Sequence, residues 1–325
     1  LEKLSNASAD EMYWKARQEI ILRHTGEHPY EISGPDAEKL LQKIFTRDIA
    51  KVKTGRCSYQ FACYDDGGMI SDGLLLRLTN DKFWFAQGDG HLFSWYKAHS
   101  INLDVEIKDP NVWVSQIQGP KSLKLLNKIV DESLENKFNY FDWIETSIAY
   151  EKVIISRTGF TNELGWEIYL RPENDSKKIG DLILEKGKEM GMILTASPGF
   201  RCRRIEAGLL SAGRDFTKNR TPFSVGLGKF IDFDKGEFIG RNFLENADKE
   251  CLTWGMRVEG SYAVVDSDIF IDNKKVGIVT SSTWSPYQVC GVSIVHMNSK
   301  EYGPETKVKV LCDDGEYHNA EICSL

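Results

Sequence analysis

The 325-residue chain has 41 Lys and Arg against 48 Asp and Glu, a formal net charge of −7, and 41% hydrophobic and 27% charged residues. That length is a soft indication of about two domains and is ample for a large core. The composition is that of a globular protein, and the acidic balance argues against a nucleic-acid partner while leaving room for an anionic small ligand held by local Arg and Lys. Seven cysteines (57, 63, 202, 251, 290, 312 and 323) are scattered without a Cys-x-x-Cys pair, and the six histidines show no ligand spacing. No metal site is therefore expected, and free thiols in a reducing cytoplasm are the simplest reading. The opening LEKLSNASAD has neither the basic head nor the apolar core of a signal peptide, and no apolar run is long enough to span a membrane.

In chain order, helical spacing of Tyr13, Ala16, Ile20 and Ile21 predicts a helix over Ala9–Arg23, capped by Ser8 or Asp10. Tyr30–Ser33 reads as a short strand, and Gly34-Pro35 opens a helix that turns Leu40, Leu41 and Ile44 inward. This unit recurs. Residues 32–44 (ISGPDAEKLLQKI) and 117–129 (IQGPKSLKLLNKI) match at eight of thirteen positions with a constant offset of 85. Two copies indicate a duplication rather than a solenoid, which needs at least three. Between them, Ser58–Tyr64, Ile70–Leu78 and Lys82–Ala86 are strand candidates, followed by a helix over Gly90–Ser100 and a strand over Leu103–Lys108. After the second copy, Ile148–Arg157 and Gly165–Leu170 read as a strand pair, and Asp175–Met190 and Gly199–Gly208 as helices. From Cys251 the texture changes to short strands punctuated by Gly, Asp and Asn: Leu252–Val258, Ile269–Ile271, Lys274–Ser281, Gln288–Val295, Thr306–Leu311 and Glu316–Ile322. They predict a small barrel or sandwich. A boundary near Ala247 divides the chain into 1–247 and 248–325; the alternative is one continuous α+β domain with a β-rich end.

Three stretches carry chemistry. In GGMISDGLLLRL, Asp72 interrupts a strand-like run, a position strands disfavour. It is either a turn residue partnered by Gly73 or a functional carboxylate. Glu167, flanked by Trp166, Ile168 and Tyr169, is either an outward residue of an amphipathic strand or an acceptor for a flat heterocycle offering two N–H donors. In the latter case Trp and Tyr supply apolar walls. Arg201, Arg203 and Arg204 crowd a helix end, where they either bond terminal carbonyls or hold an anionic tail.

FTRDI (45–49), GGMISDG, QGP (118–120), TGFTNELGWEI (158–168), IEAGL (205–209), TPFSVGLGKF (221–230), KGEFIGRNFL (235–244) and VGIVTSSTWSP (276–286) follow one another over nearly the whole chain. In this order they resemble the aminomethyltransferase family: the glycine-cleavage T protein and its folate-dependent demethylase relatives, such as dimethylsulfoniopropionate demethylase. The resemblance implies an α+β protein with two pseudo-repeated folate-binding lobes around a central opening and a C-terminal β-barrel. It implies tetrahydrofolate as cofactor, Asp72 as the catalytic carboxylate, and Glu167, Gln87, Tyr169, Arg201, Arg204 and Trp284 as cofactor-binding residues. Gln87 stands where T proteins usually carry Asn.

Departures from the glycine-cleavage pattern bear on the donor. Ser71-Asp72 replaces a usual Asp pair, Phe200 occupies the position of a folate-contacting Arg, and Ser224 replaces the Glu of TPxEAGL. The expected function is a cytoplasmic one-carbon transferase that moves a methyl or aminomethyl-derived group from a small-molecule donor to tetrahydrofolate. One alternative is glycine cleavage with a lipoyl carrier protein as partner, for which Lys229, Lys235 and Arg241 are a candidate basic docking patch. The other is a folate-binding protein without transfer activity, like the iron–sulfur repair relative. Against that stand the retained Asp72 and Glu237, which occupies a segment where that relative carries Cys. A flavin-dependent amine oxidase is disfavoured because no GxGxxG occurs.

Overall fold

A computed structural model describes residues 7–24, 26–88, 90, 92–134, 138–195 and 197–325. The reading of residues 1–6, and the place of His91 in the helix expected over Gly90–Ser100, lie outside them. The chain forms two compact units, Leu1–Phe61 with Ser71–Phe200, and Ala62–Ile70 with Arg201–Leu325.

In the first unit, α1 (Ala9–Gln18) begins where Ser8 Oγ accepts the Glu11 N–H at 3.1 Å, so Ser8 is the cap. The helix ends before the expected Arg23, and β1 (Ile21–His24) follows. Ile20, Ile21 and Leu22 are consecutive and all buried. One helical face cannot hide three successive side chains, whereas a strand covered on both faces can. Next come β2 (His28–Ser33), α2 (Ala37–Ile44), β3 (Cys57–Cys63), β4 (Met69–Arg77), β5 (Lys82–Gln87), α3 (Leu92–His99) and β6 (Glu106–Lys108). These strands make a five-stranded sheet in the order β3-β4-β5-β2-β6. The strand expected over Leu103–Lys108 is thus shorter than its apolar pattern implied.

The chain continues through β7 (Trp113–Gln118), α4 (Ser122–Ile129), β8 (Trp143–Ile148), β9 (Glu151–Ser156), β10 (Gly165–Leu170), α5 (Ser176–Glu189), β11 (Ile193–Leu194) and α6 (Ser197–Glu206). Its sheet runs β11-β1-β7-β10-β9-β8. β8 had no strand signal: most of its residues are half-buried, so apolar alternation is weak. Asp175 caps α5 by accepting the Lys178 N–H at 3.0 Å.

The duplication is real in three dimensions. β2–α2 and β7–α4 each turn through a Gly-Pro in which the glycine has nearly the same φ, +124° at Gly34 and +122° at Gly119. A Cβ would lie 2.7 Å from the Asp104 carbonyl oxygen at the first and 2.3 Å from that of Glu19 at the second, so only glycine fits either turn. Leu40, Leu41 and Ile44 match Leu125, Leu126 and Ile129, all buried. One face of the six-stranded sheet packs Leu22, Ile117, Ile155, Trp166 and Ile168 against α4 and α5. Its other face brings Val114, Ile154 and Tyr169 onto Leu76, Trp84 and Ala86 of the five-stranded sheet.

The second unit contains α7 (Arg241–Asn246) and six strands: β12 (Thr253–Val258), β13 (Asp268–Ile271), β14 (Lys274–Ser285), β15 (Cys290–Met297), β16 (Lys307–Leu311) and β17 (Tyr317–Cys323). All six expected strands form. They close as a barrel, not a sandwich, in the order β12-β15-β14-β13-β16-β17, because β12 pairs with both β15 and β17. The architecture is α+β, with two sheet lobes and a C-terminal β-barrel. No described helix is long and apolar enough to cross a membrane.

Candidate functional site

Strand register in the first unit aligns Arg23, Gln116, Glu167 and Ser156 in one row across β1, β7, β10 and β9. The period of two that sends Leu22, Ile117 and Ile168 into the helix-covered core sends this polar row to the opposite, sheet-facing side. Glu167 is only 3% exposed. Its Oε1 accepts from Gln116 Nε2, and its Oε2 accepts from Thr158 Oγ1 at 2.5 Å and from the Tyr169 hydroxyl at 3.2 Å. Burial pushes the Glu167 carboxyl above its ordinary range, opposed by hydrogen bonds from Thr158, Gln116, Tyr169 and Glu27.

Glu27, in the segment between β1 and β2, is half-buried. Burial, and after it the charge of Glu167, raises its carboxyl well above the usual range; Arg23 opposes the shift and Asp72 adds to it. The Arg23 guanidinium lies 4.0 Å above the Phe200 ring. Phe200 therefore stacks on an arginine of β1 rather than leaving its position empty of cationic chemistry.

Asp72 is inside β4, with Gly73, so the turn reading is excluded. Its Oδ2 accepts from the Tyr59 hydroxyl of β3 at 2.7 Å. Burial, then the Asp72 charge, pushes the Tyr59 phenol well up, so it keeps its proton. Gly73 is required by close approach: a Cβ would lie 2.3 Å from the Ala86 carbonyl oxygen and 2.8 Å from the Phe85 ring. Register pairs Leu74 with Ala86 and Leu76 with Trp84, so Asp72 belongs to the face of β4 that meets Tyr169 and Val114. Asp72 and Glu167 thus come from facing surfaces of two sheets.

The other sequence-derived candidates lie elsewhere. Gln87 alternates with Trp84 and Ala86, and so shares the opposite face with Phe83 and Phe85; its Nε2 donates to the Gly90 carbonyl at 3.2 Å. Its Oε1 is buried and has no partner among the described residues. Tyr169 is fully buried, contacts the Trp84 ring at 6.0 Å and spends its hydroxyl on Glu167. Arg201, Arg204 and Trp284 belong to the second unit. Arg201 is exposed. Arg204 donates to Asp215 Oδ2 at 2.8 Å, to the Leu209 carbonyl at 2.9 Å and to Ser281 Oγ at 2.8 Å. Asp215, 0% exposed, also accepts from Thr280 and Ser281, both at 2.7 Å. Arg203 pairs with Glu206. Trp284 is half-buried, and its carbonyl accepts from Cys202 Sγ at 3.3 Å. Lys229, Lys235 and Arg241 lie over Phe230, Phe238 and Phe233 at 5.2, 5.4 and 5.7 Å, so their charges sit over neighbouring aromatic rings.

Sequence reasoning missed Arg23, Glu27, Tyr59, Gln116 and Thr158. Gln116 alone had a signal: it and Gln118 place amides at alternate positions of a strand, and both are 0% exposed. Arg23 reaches the row through register between distant strands.

A family model described as the GCVT N-terminal domain matches residues 3–235. An aminomethyltransferase from Halothermothrix orenii is 30% identical over 301 residues, covering 89% of this chain and 82% of that protein. A trimethylamine-oxide aldolase from Ruegeria pomeroyi is 30% identical over 329 residues, covering 96% of this chain and 42% of that longer protein. The crystal structure of the glycine cleavage system aminomethyltransferase T from Bartonella henselae superimposes with a TM-score of 0.89 over 99% of this chain and 90% of that one, at 20% identity, which speaks for the fold. Family match and relatives together lead to one conclusion: the chain belongs to the glycine-cleavage T protein (aminomethyltransferase) family of transferases.

Proposed function

We propose that the chain is a tetrahydrofolate-dependent one-carbon transferase that takes a methyl or aminomethyl-derived group from a small-molecule donor, with residues 1–247 as its folate-binding part. The observation carrying this reading is the pair of buried acceptors at the centre of the polar row. Glu167 is a carboxylate inside a sheet, and beside it Gln116 Oε1 is buried with no partner among the described residues. A buried acceptor left open calls for a donor, and a flat ring edge with adjacent N–H groups answers both residues at once. The chain therefore fits a pterin there, with Glu167 and Gln116 orienting its edge and Tyr169 fixing Glu167. When bound, tetrahydrofolate supplies the nitrogen that accepts the one-carbon group.

Asp72 is the catalytic carboxylate in this reading. It offers fixed negative charge where positive charge develops during transfer, and the Tyr59 hydroxyl holds its orientation. Trp84 and Tyr169 exclude water between the sheets. Arg201, exposed, is available to an anionic tail, whereas Arg204 acts by fixing α6 to Asp215.

The competing reading is glycine cleavage with a lipoyl carrier protein, favoured by the relatives named aminomethyltransferase. Against it, Arg241 of the candidate basic patch pairs with Glu245 at 2.5 Å, which offsets part of the charge that would steer an acidic carrier. The relative named trimethylamine-oxide aldolase, aligned over nearly the whole chain, is in keeping with a free methylated donor. The deciding experiment supplies tetrahydrofolate with either an aminomethyl-lipoyl carrier protein or a panel of methylated sulfonium, amine and aryl-ether compounds, and identifies the folate product by mass spectrometry. Methyl-tetrahydrofolate from one panel member supports the proposal. Methylene-tetrahydrofolate and ammonia only with the carrier identify glycine cleavage. Folate binding with no product from either set identifies a binder without transfer.

A further inference from the structure

We propose that Gln118 is a positioning residue of the folate site: its buried amide seats the loop between β9 and β10 (157–164), and that loop holds the Thr158 hydroxyl on Glu167. This rests on the reading of Glu167 as the acceptor for the pterin edge, and adds what keeps that carboxylate aimed.

The loop is built around one side chain. Gln118, at the end of β7, pairs across the sheet with Gly165, the first residue of β10, and both Gln118 and Thr161 are 0% exposed. The Thr161 hydroxyl accepts the Glu163 N–H at 3.2 Å and donates to Gln118 Oε1 at 2.6 Å. Glycines stand near the start of the loop and just past its end for one reason. A Cβ would lie 2.4 Å from Gln118 Nε2 at Gly159 and 2.1 Å from it at Gly165, so neither position has room for a side chain beside the amide. The N–H of Gly119, next to Gln118, donates to the Leu164 carbonyl at 2.8 Å, and Ser122 Oγ donates to the same carbonyl at 3.2 Å. Phe160 packs against the cluster of Ala16, Ile21 and Phe200. That apolar contact has no preferred direction, whereas the bond from Thr161 to Gln118 has one. Thr158, three residues before Thr161 and likewise buried, donates from Oγ1 to Glu167 Oε2 at 2.5 Å.

The amide is kept for direction and not for stability. The Thr161 oxygen already accepts from Glu163, so its proton goes to the Gln118 oxygen and the amide nitrogen is the end left open. Gln118 Nε2 is buried with no acceptor among the described residues. An unpaired buried N–H is a net loss, so an apolar side chain of similar volume would serve the core at least as well. What an apolar residue cannot give is the acceptor that fixes Thr161. Without that acceptor the loop keeps its apolar and backbone contacts, but the Thr158 hydroxyl loses its defined place. Glu167 then retains Gln116 and Tyr169 and loses one of the two bonds that orient Oε2.

The test is a substitution cycle on the full chain, read by tetrahydrofolate calorimetry, urea denaturation and amide hydrogen exchange over residues 158–164. Gln118→Leu combined with Thr161→Val removes both partners together. Stability without folate should change little, because the unpaired Nε2 goes with them and only the Glu163 N–H, on a half-buried residue, loses its acceptor. Tetrahydrofolate affinity should fall about tenfold, the scale of one hydrogen bond to a charged group, and exchange in the loop should speed up. Thr161→Ser, which keeps the hydroxyl, should bind as the unsubstituted chain does. Thr158→Val alone should weaken binding by a similar factor, and adding the Gln118 and Thr161 substitutions to it should weaken binding no further, because both act through one hydroxyl. Losses that add, or an unchanged affinity in the Gln118→Leu, Thr161→Val chain, overturn the inference; a chain that loses stability while binding folate normally shows a merely structural clamp. Failure of tetrahydrofolate to bind the unsubstituted chain overturns the transferase reading instead. Loop exchange then decides the clamp by itself: faster exchange in the substituted chain upholds it, and unchanged exchange removes it.

Discussion

The Tyr59 hydroxyl donates to the Asp72 carboxylate at 2.7 Å, linking neighbouring strands β3 and β4. Asp72 thereby presents a fixed charge rather than a mobile one. Asp72→Asn should lower turnover roughly a hundredfold or more, the scale of losing a preorganised electrostatic group. Folding and tetrahydrofolate affinity should stay nearly intact. Tyr59→Phe should lower turnover by a smaller factor through loss of orientation. Single-turnover kinetics beside calorimetric folate binding check both; unchanged turnover in Asp72→Asn would remove it from the chemistry.

Glu167 requires a careful choice of substitution. Glu167→Ala leaves Gln116, Thr158 and Tyr169 without their acceptor, each unpaired buried group costing about 1–3 kcal/mol, so stability falls whatever the role in binding. Glu167→Gln keeps one acceptor and most of the volume. It should weaken tetrahydrofolate binding by about 1.5–3 kcal/mol, the range for a hydrogen bond to a charged group. The increase in melting temperature produced by folate should shrink in proportion. Normal folate affinity in Glu167→Gln would make the residue structural.

The carboxyls of Glu27 and Glu167 are both raised above 4.5 in the folded chain, chiefly by burial. Between that ordinary value and the raised ones, the folded chain binds more protons than the unfolded chain. The stability they lend is complete below 4.5 and is lost as pH rises through the folded values. Glu27→Gln should flatten this decline, so the stability difference between variant and unsubstituted chain should change in the variant's favour as pH rises above 4.5. Urea denaturation across that range measures it. Parallel curves would mean that Glu27 titrates normally.

Arg204 and Asp215 form a buried ion pair at 2.8 Å, with Asp215 0% exposed. Arg204→Met leaves the carboxylate buried without its cation and should destabilise the second unit by about 3–5 kcal/mol. Replacing both partners, as Arg204→Met with Asp215→Leu, should recover part of that loss. Chemical denaturation of the single and double variants tests this; a single variant as stable as the original would show the pair to be dispensable.

Much of this architecture was legible because it is written locally. Gly-Pro turns before Leu-rich helices, six short strands at regular spacing, and apolar alternation in β4, β5 and β10 depend on neighbours within a few residues. Order of motifs pointed to the family, and with it to Asp72 and Glu167. Tertiary structure decided what depends on distant partners. Ile21–His24 became strand because it pairs with β7 and β11, and β8 formed on β9 despite a weak pattern. Gln87 faces away from Asp72 because strand alternation, not proximity in sequence, assigns it the Phe85 side. Arg204 turned toward Asp215, eleven residues onward and inside the second unit. Gln116 joined Glu167 through register between strands that lie far apart in the chain, and no local spacing records that register.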